Sequence, residues 1–241
     1  MHYKSLYHLA KVYRKPINKY LKLVKHKFKH LNDTSYYYLN RGLLFYPKSN
    51  SLNELAAKYY FADVNYKKTI DLLTNLEFLN AENKQTLAIS YYYTNAYEKS
   101  KDYLYSQIDS KKATSKTFFY LALVYKAEKD YEKAEMYMQL SINAEKPQLT
   151  EYYFQLGLIH QEYKKLQDAI KDFKMALKEN KYNHKAHYQL ARTCDSFYKD
   201  KNIALSYYKS YIEKFSYREK KTSLFVKQRI KEITKMIFNK E

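Results

Sequence analysis

The sequence predicts an all-α protein, a solenoid of stacked two-helix repeats closed by a C-terminal helix. Three observations carry that prediction. Residues 115–149 and 150–183 match in kind when laid over each other. Leu121-Ala122 falls on Leu156-Gly157, Tyr125 on His160, Tyr131 on Leu166, Ala134 on Ala169, Met138 on Phe173 and Ser141 on Ala176. A period of about 34 to 35 residues belongs to a helical hairpin that cannot bury its apolar face alone and stacks on copies of itself. Leu-small pairs recur at Leu87-Ala88, Leu121-Ala122, Leu156-Gly157 and Leu190-Ala191. Finally, the chain has two Gly and three Pro in 241 residues, too little punctuation for hairpins or long loops.

Taken in order, residues 1–49 form a region of their own. Lys4, Lys11, Arg14, Lys15, Lys19, Lys22, Lys25, Lys27 and Lys29 all precede the first acid, Asp33. Pro16 suits the first turn of a helix, where its missing N–H costs nothing. Beyond it, Ile17, Tyr20, Leu21, Val24, Phe28 and Leu31 follow helical spacing, with the Lys residues largely off that stripe. This predicts a basic amphipathic helix whose patch is Lys19, Lys22, Lys25, Lys27 and Lys29. Asn32-Asp33-Thr34-Ser35 then reads as a turn and a helix start. A second short helix follows over 35–46, with Gly42 allowing a close crossing and Pro47 stopping it.

Three readings of residues 1–31 compete. A mitochondrial presequence is basic, amphipathic and free of acids, but richer in Arg and Ser than this segment. A membrane-surface helix is also basic and amphipathic. The favoured reading is structural: the apolar stripe packs on Tyr36, Tyr37, Leu39 and Leu43 as a degenerate first helical pair, because the 35–46 helix otherwise has no partner on its N-terminal side.

From residue 50 the repeats become regular, over 50–80, 81–114, 115–149, 150–183 and 184–217. In the first, Ala56-Ala57 and Tyr60 sit on one helix, and Tyr66, Thr69 and Leu73 on the next. In the second, Leu87-Ala88, Tyr91, Tyr97, Ser100 and Leu104 take the same places. The last has Leu190-Ala191, Cys194, Ala204 and Tyr208, with one extra residue between its helices. Over residues 50–217 this pattern resembles the tetratricopeptide repeat, in which small residues mark where paired helices cross closely. The resemblance implies a right-handed solenoid whose first helices line a concave side that holds a peptide or a partner's helix. Gln107 and Tyr211 depart from it, standing where the second helix usually has a small residue, which predicts wider or shifted crossings there. In residues 218–241, Leu224, Ile230, Ile233 and Ile237 predict the covering face of a capping helix over 218–238. Lys221, Lys227, Arg229, Lys231 and Lys235 form its outer face.

Composition limits the function classes. The formal net charge is +19, carried almost wholly by Lys. Such a charge favours contact with nucleic acid, anionic lipid or an acidic protein, but says nothing about fold. Lys, Asn, Tyr, Phe and Ile are all favoured by AT-rich codons, and the charge acts physically whatever its origin. The one Cys excludes an internal disulfide. No run approaches the roughly 18 apolar residues of a membrane span, and the N-terminus lacks the apolar centre of a signal peptide. The expectation is an intracellular, cytoplasmic protein, with mitochondrial import through the basic N-terminus as the alternative.

No catalytic constellation is expected. His184, His187 and Cys194 share a helix, but His187 stands at a packing position, and Cys194 falls where Tyr60, Tyr91 and Tyr125 pack in other repeats. A zinc site also needs three or four converging ligands, and no second Cys exists. Two distant Gly cannot build a phosphate-cradling loop. Glu132, Glu135, Asp168 and Asp172 read as solvated partners of nearby Lys. The sequence therefore predicts no enzyme activity, no metal, no cofactor and no small-molecule substrate.

The resemblance places the candidate site on the concave face. By repeat register that face shows Gln85, Ile89, Tyr92, Tyr93, Phe119, Tyr120, Leu123, Phe154, Gln155, Leu158, Tyr188, Gln189 and Arg192. Phe119 and Leu123 read equally well as inter-repeat core. Aromatics with Gln and one Arg make the composition of binding hot spots. Chaperone-binding members of the family clamp a terminal carboxylate with Lys and Asn, and those places here read mostly Phe119, Leu123, Gln155 and Leu158. The expected partner is thus a protein or peptide segment with apolar anchors, with an acidic protein surface favoured by the Lys faces. The runner-up is an accessory subunit that meets RNA or an anionic membrane through those faces.

Overall fold

The computed structural model describes residues 7–8, 29–144 and 149–239. Among the described residues there are twelve helices and no strand. They are α1 (Lys29–Phe45), α2 (Asn50–Ala62), α3 (Tyr66–Thr74), α4 (Ala81–Tyr93), α5 (Tyr97–Asp109), α6 (Ser115–Ala127), α7 (Tyr131–Ala144), α8 (Thr150–Glu162), α9 (Leu166–Glu179), α10 (His184–Phe197), α11 (Lys201–Phe215) and α12 (Lys220–Phe238). Packing divides the chain into two compact units, Met1–Lys112 and Ala113–Glu241.

Each unit is a stack of helical hairpins. In the first, α2 pairs with α3, α4 with α5, and α3 packs on α4. In the second, the pairs are α6–α7, α8–α9 and α10–α11, linked by contacts of α7 with α8 and of α9 with α10, and α12 lies on α11. One layer explains the pairing. Leu73, Leu104, Met138, Phe173 and Tyr208, one per second helix, are all essentially inaccessible. Ala57, Ala88, Ala122, Gly157 and Ala191 of the first helices are equally buried, and Gly157 lies against Phe173. Gly157 shows why the facing residue is small. A Cβ there would sit 2.6 Å from the Phe173 ring, well inside van der Waals contact. The large Gln107 and Tyr211 side chains are also buried, so side chains fill those two crossings.

Helix ends follow local chemistry. Asn65, Asn80, Asn183 and Asp200 accept backbone N–H bonds as N-caps of α3, α4, α10 and α11. Thr114 and Thr117 cap α6 reciprocally. With so few glycines, the left-handed residue after a helix is Val64, Asn95, Lys111, Lys129 or Lys164. Asn adopts that conformation readily, whereas a β-branched Val does so only under strain.

The structure corrects expectations at both ends of the chain. No turn forms at 32–35, because α1 runs unbroken through it. Turn propensity of Asn, Asp, Thr and Ser is a weak preference, and it yields to burial of Ser35 and Leu39 and packing of Tyr36, Tyr38 and Leu43 on the first unit's core. Tyr37 points out. The stripe Ile17–Leu31 expected to cover this helix lies outside the described side chains, although Tyr7 does pack on the same core. On α12, Val226 and Ile233 are fully buried with Ile230 and Ile237 beside them, while Leu224 is 72% exposed. Nine residues separate Leu224 from Ile233, which at about 100° per residue puts them on opposite faces. Arg229, expected on the outer face, turns inward to a bidentate pair with Asp195 at 2.8 and 3.2 Å.

Candidate functional site

In the second unit, α6, α8 and α10 present their outer residues in series. Phe119 packs on Tyr120 of its own helix (5.4 Å between ring centroids) and on Tyr152 of α8 (4.9 Å). Gln155 donates to Glu151 at 2.8 Å, one turn back. On α10, Arg192 lies 5.7 Å above the Tyr188 ring and donates to Gln189 at 3.3 Å. Tyr188 also meets Tyr211 of α11 at 5.9 Å and Phe225 of α12 at 6.3 Å. Polar contacts tie consecutive first helices together, with Lys126 to Glu162 at 3.2 Å and Gln161 to Thr193 at 3.3 Å. Phe119, Tyr120, Gln155, Leu158, Tyr188 and Gln189 are partly accessible and Arg192 is exposed.

Three residues of the expected face are core instead. Ile89 and Leu123 keep 7% of their surface and Phe154 keeps 6%. Repeat register gives the side of the helix a residue is on, but not how far the neighbouring hairpin covers it. In the first unit Gln85 is partly accessible, but Tyr92 and Tyr93 are drawn to the turn edge. Tyr93 stacks on Tyr66, the first residue of α3, at 4.5 Å and 7°. Tyr92 meets Tyr97, the first residue of α5, at 6.1 Å, and burial pushes its hydroxyl pKa up. Sequence reasoning missed Glu54 and Lys58 of α2, which take the hydrogen bond of Asn83 at 2.7 Å and pair with Glu82 at 3.0 Å. Of the expected basic patch, Lys19, Lys22, Lys25 and Lys27 lie outside the described residues, and Lys29 is the first residue of α1.

The acidic residues of α7 and α9 differ from expectation. Asp168 and Lys171 do form an exposed pair at 3.1 Å. Asp172, however, is buried and meets His160 Nδ1 at 2.5 Å. Glu135 reaches the other ring nitrogen at 3.3 Å and accepts from Lys165 at 2.6 Å. The register had placed His160 at a packing position, and its polar partners come from two other helices 12 and 25 residues away. Burial works against the imidazolium, yet the two carboxylates outweigh it and hold His160 above its ordinary pKa. Burial raises Asp172, while Lys165 and His160 lower Glu135 against its own desolvation.

The metal candidates do not converge. His184 bonds to Glu219 at 3.0 Å and His187 to the Lys181 carbonyl at 3.0 Å, where it packs on Phe215. Cys194 is buried, which pushes its thiol up to about 11. Among the described residues no three His, Cys, Asp or Glu groups stand close enough to share an ion. No described helix is long and apolar enough to cross a membrane. One other surface is notable. An open depression of about 510 Å3 beside α7 carries the exposed Met136 and Leu140 among Glu132, Glu135, Gln139 and Lys165.

No protein-family model matches the chain, and no curated protein matches it in sequence. Its fold does match solved structures. One is MamA from Desulfovibrio magneticus RS-1, with TM-score 0.63 and 14% identity over 70% of this chain and 97% of that one. YrrB, described as a TPR protein with an unusual peptide-binding site, has TM-score 0.59 and 15% identity over 79% and 97%. The Cut9-Hcn1 tetramer of APC/C has TM-score 0.63 and 12% identity, over 96% of this chain but 46% of that one. At these identities the likeness establishes the fold, a tetratricopeptide-like solenoid of helical repeats.

Proposed function

We propose that the protein is a non-catalytic scaffold that holds an extended or helical segment of a partner protein on the first-helix face of α6, α8 and α10. One observation carries the reading: accessible aromatics and amides, Phe119, Tyr120, Gln155 and Tyr188, recur on successive first helices above tightly packed crossings. Such residues give large contact area on a rigid base, which lowers the ordering cost of binding. The fold's likeness to a protein described as having a peptide-binding site, and to a subunit solved in complex, supports this use of it. The formal net charge of +19 favours a partner with an acidic rim around its apolar anchors.

The test is capture of the partner from the native cell, followed by measurement of its affinity for variants. Phe119→Ala with Tyr188→Ala should weaken binding at least about 30-fold, the effect of removing a hot spot worth 2 kcal/mol. The helical circular-dichroism signal should stay near wild type. Undiminished binding by that variant, with loss on Met136→Ser and Leu140→Ser, would move the site to the outer face. A purified protein with an absorbance maximum near nucleic acid's, lost at high salt, would favour the RNA reading instead.

A further inference from the structure

The outer face of α12 carries more than a polar cover for the last repeat. Val226 and Ile233 are fully buried, and Leu224 lies about 160° round the helix from Val226, 72% exposed. Lys220, Lys221, Lys227, Lys231 and Lys235 all lie within about 60° of Leu224 around the axis. All five are exposed, along a row about 22 Å long. Phe238, 76% exposed, falls on the same side. None of the five ammonium groups meets a carboxylate among the described residues. The helix has one acid, Glu232, whose carboxylate accepts from Arg229 at 2.9 Å and from Gln228 at 3.2 Å. The N-cap, Glu219, is held by His184 and Thr222.

A cap needs only polarity, and α9 supplies it with both signs, as where Lys171 meets Asp168 at 3.1 Å. On α12 the single sign has two local costs. Lys227, Lys231 and Lys235 follow one another at four-residue spacing, where like charges repel. Lys220 and Lys221 open the helix, with no acid in its first turn, against the positive end of the helix dipole. Leu224 and Phe238 add a third cost, large apolar surface left in water. A flat anionic surface with an apolar interior relieves all three together. Its charge meets the Lys row, the Lys stems lie along it, and the two apolar side chains leave water. A nucleic-acid backbone would use the Lys row but offers nothing to Leu224.

We propose that the outer face of α12 docks on an anionic lipid bilayer, with Leu224 and Phe238 dipping below the headgroups. The helix lies in the interface and does not cross it. This surface uses none of the residues of the first-helix face.

The test floats the full chain with vesicles of phosphatidylcholine, alone or with about 30% phosphatidylserine, at about 0.1 M salt. Binding should require the anionic lipid. Lys227→Gln, Lys231→Gln and Lys235→Gln together should weaken it at least about 30-fold, since each Lys near such a surface contributes about fivefold. Removing three exposed charges from α9 instead, by Lys171→Gln, Lys174→Gln and Lys178→Gln, should weaken it less than about threefold. Leu224→Ser with Phe238→Ser should weaken it at least about tenfold. The chain has no Trp, so Leu224→Trp places a single reporter whose emission should shift to the blue on anionic vesicles. Phe119→Ala with Tyr188→Ala should leave vesicle binding unchanged. No binding, equal loss from the α9 variant, or unshifted Leu224→Trp emission on bound vesicles overturns the proposal. So does single-stranded RNA binding that falls with the α12 Lys changes while vesicle binding does not, which would give the row to nucleic acid.

Discussion

The hairpins α6–α7 and α8–α9 are the best-matched stretches of the chain, and they fill the same crossing by opposite means. By register the first has Ala122 opposite Met138, both fully buried, and a flexible Met adapts to a methyl group. The second sets Gly157 against Phe173, a rigid ring that occupies the space a methyl would need. One turn on, the first packs Tyr125 flat on Tyr137 at 5.5 Å and 4°, with Lys133 above it. The second has His160 there, held by Asp172 and Glu135. The repeat therefore keeps a packed layer at this height, and leaves the choice between apolar and polar solutions open. Each choice leaves its own vulnerability.

The largest expected effect is steric. Gly157→Ala should cost about 1–3 kcal/mol by overpacking, read by urea denaturation, whereas Ala122→Gly should cost about 1 kcal/mol through helix propensity. Phe173→Leu should be partly rescued by Gly157→Ala, so the two changes combined cost less than their sum. Strict additivity would mean that the ring and the glycine are not coupled.

Next comes pH. His160 is held above its ordinary value, so its contribution to stability is complete below the unfolded histidine value of about 6.5 and is lost as pH rises through the folded one. Asp172, raised by burial, acts in the same direction, because it too favours the protonated side. Glu135, lowered, contributes above its ordinary value of 4.5 and loses that contribution as pH falls through its folded value. The melting temperature should therefore decline from about pH 6 to pH 8 in part through this cluster. His160→Tyr, which restores the aromatic of the α6–α7 hairpin, should flatten that decline. A variant with an unchanged slope would show that the cluster does not titrate in this range.

The smallest effect contrasts two turns of the first unit, where Val64 and Asn95 both have positive φ, 64° and 61°. Val64→Asn should stabilise by about 1 kcal/mol and Asn95→Val should destabilise by a similar amount, the ordinary penalty for a β-branched residue in that conformation. Calorimetry reads both as shifts of a few degrees, about 2–4 °C per kcal/mol in a chain of this size.

The solenoid was legible because its signal is periodic: Leu-small pairs and one large second-helix residue per hairpin survive in the sequence whatever the surface does. The ends were less legible. Turn-forming residues at 32–35 were absorbed into α1 by packing that no local rule reports. Leu224 looked apolar enough to cover the last repeat, yet the register that α11 accepts buries Val226 instead. Register put Phe119, Gln155 and Tyr188 on the first helices, where they are partly accessible. It overcounted Ile89, Leu123 and Phe154, whose burial depends on the neighbouring hairpin. The His160 cluster was invisible because it joins residues from three helices, with no motif spacing to announce it. Tyr211 did stand out, as a large residue at a small position.

The central claim, that a partner segment lies on the first-helix face of the second unit, has a direct test by placed photo-crosslinkers in the native cell. A p-benzoylphenylalanine at Gln155, on the face of α8, should give a discrete adduct with a protein partner. The same residue at Gln139, beside the exposed Met136 and Leu140 of α7, should give none. An adduct at Gln139 with none at Gln155 would contradict the account.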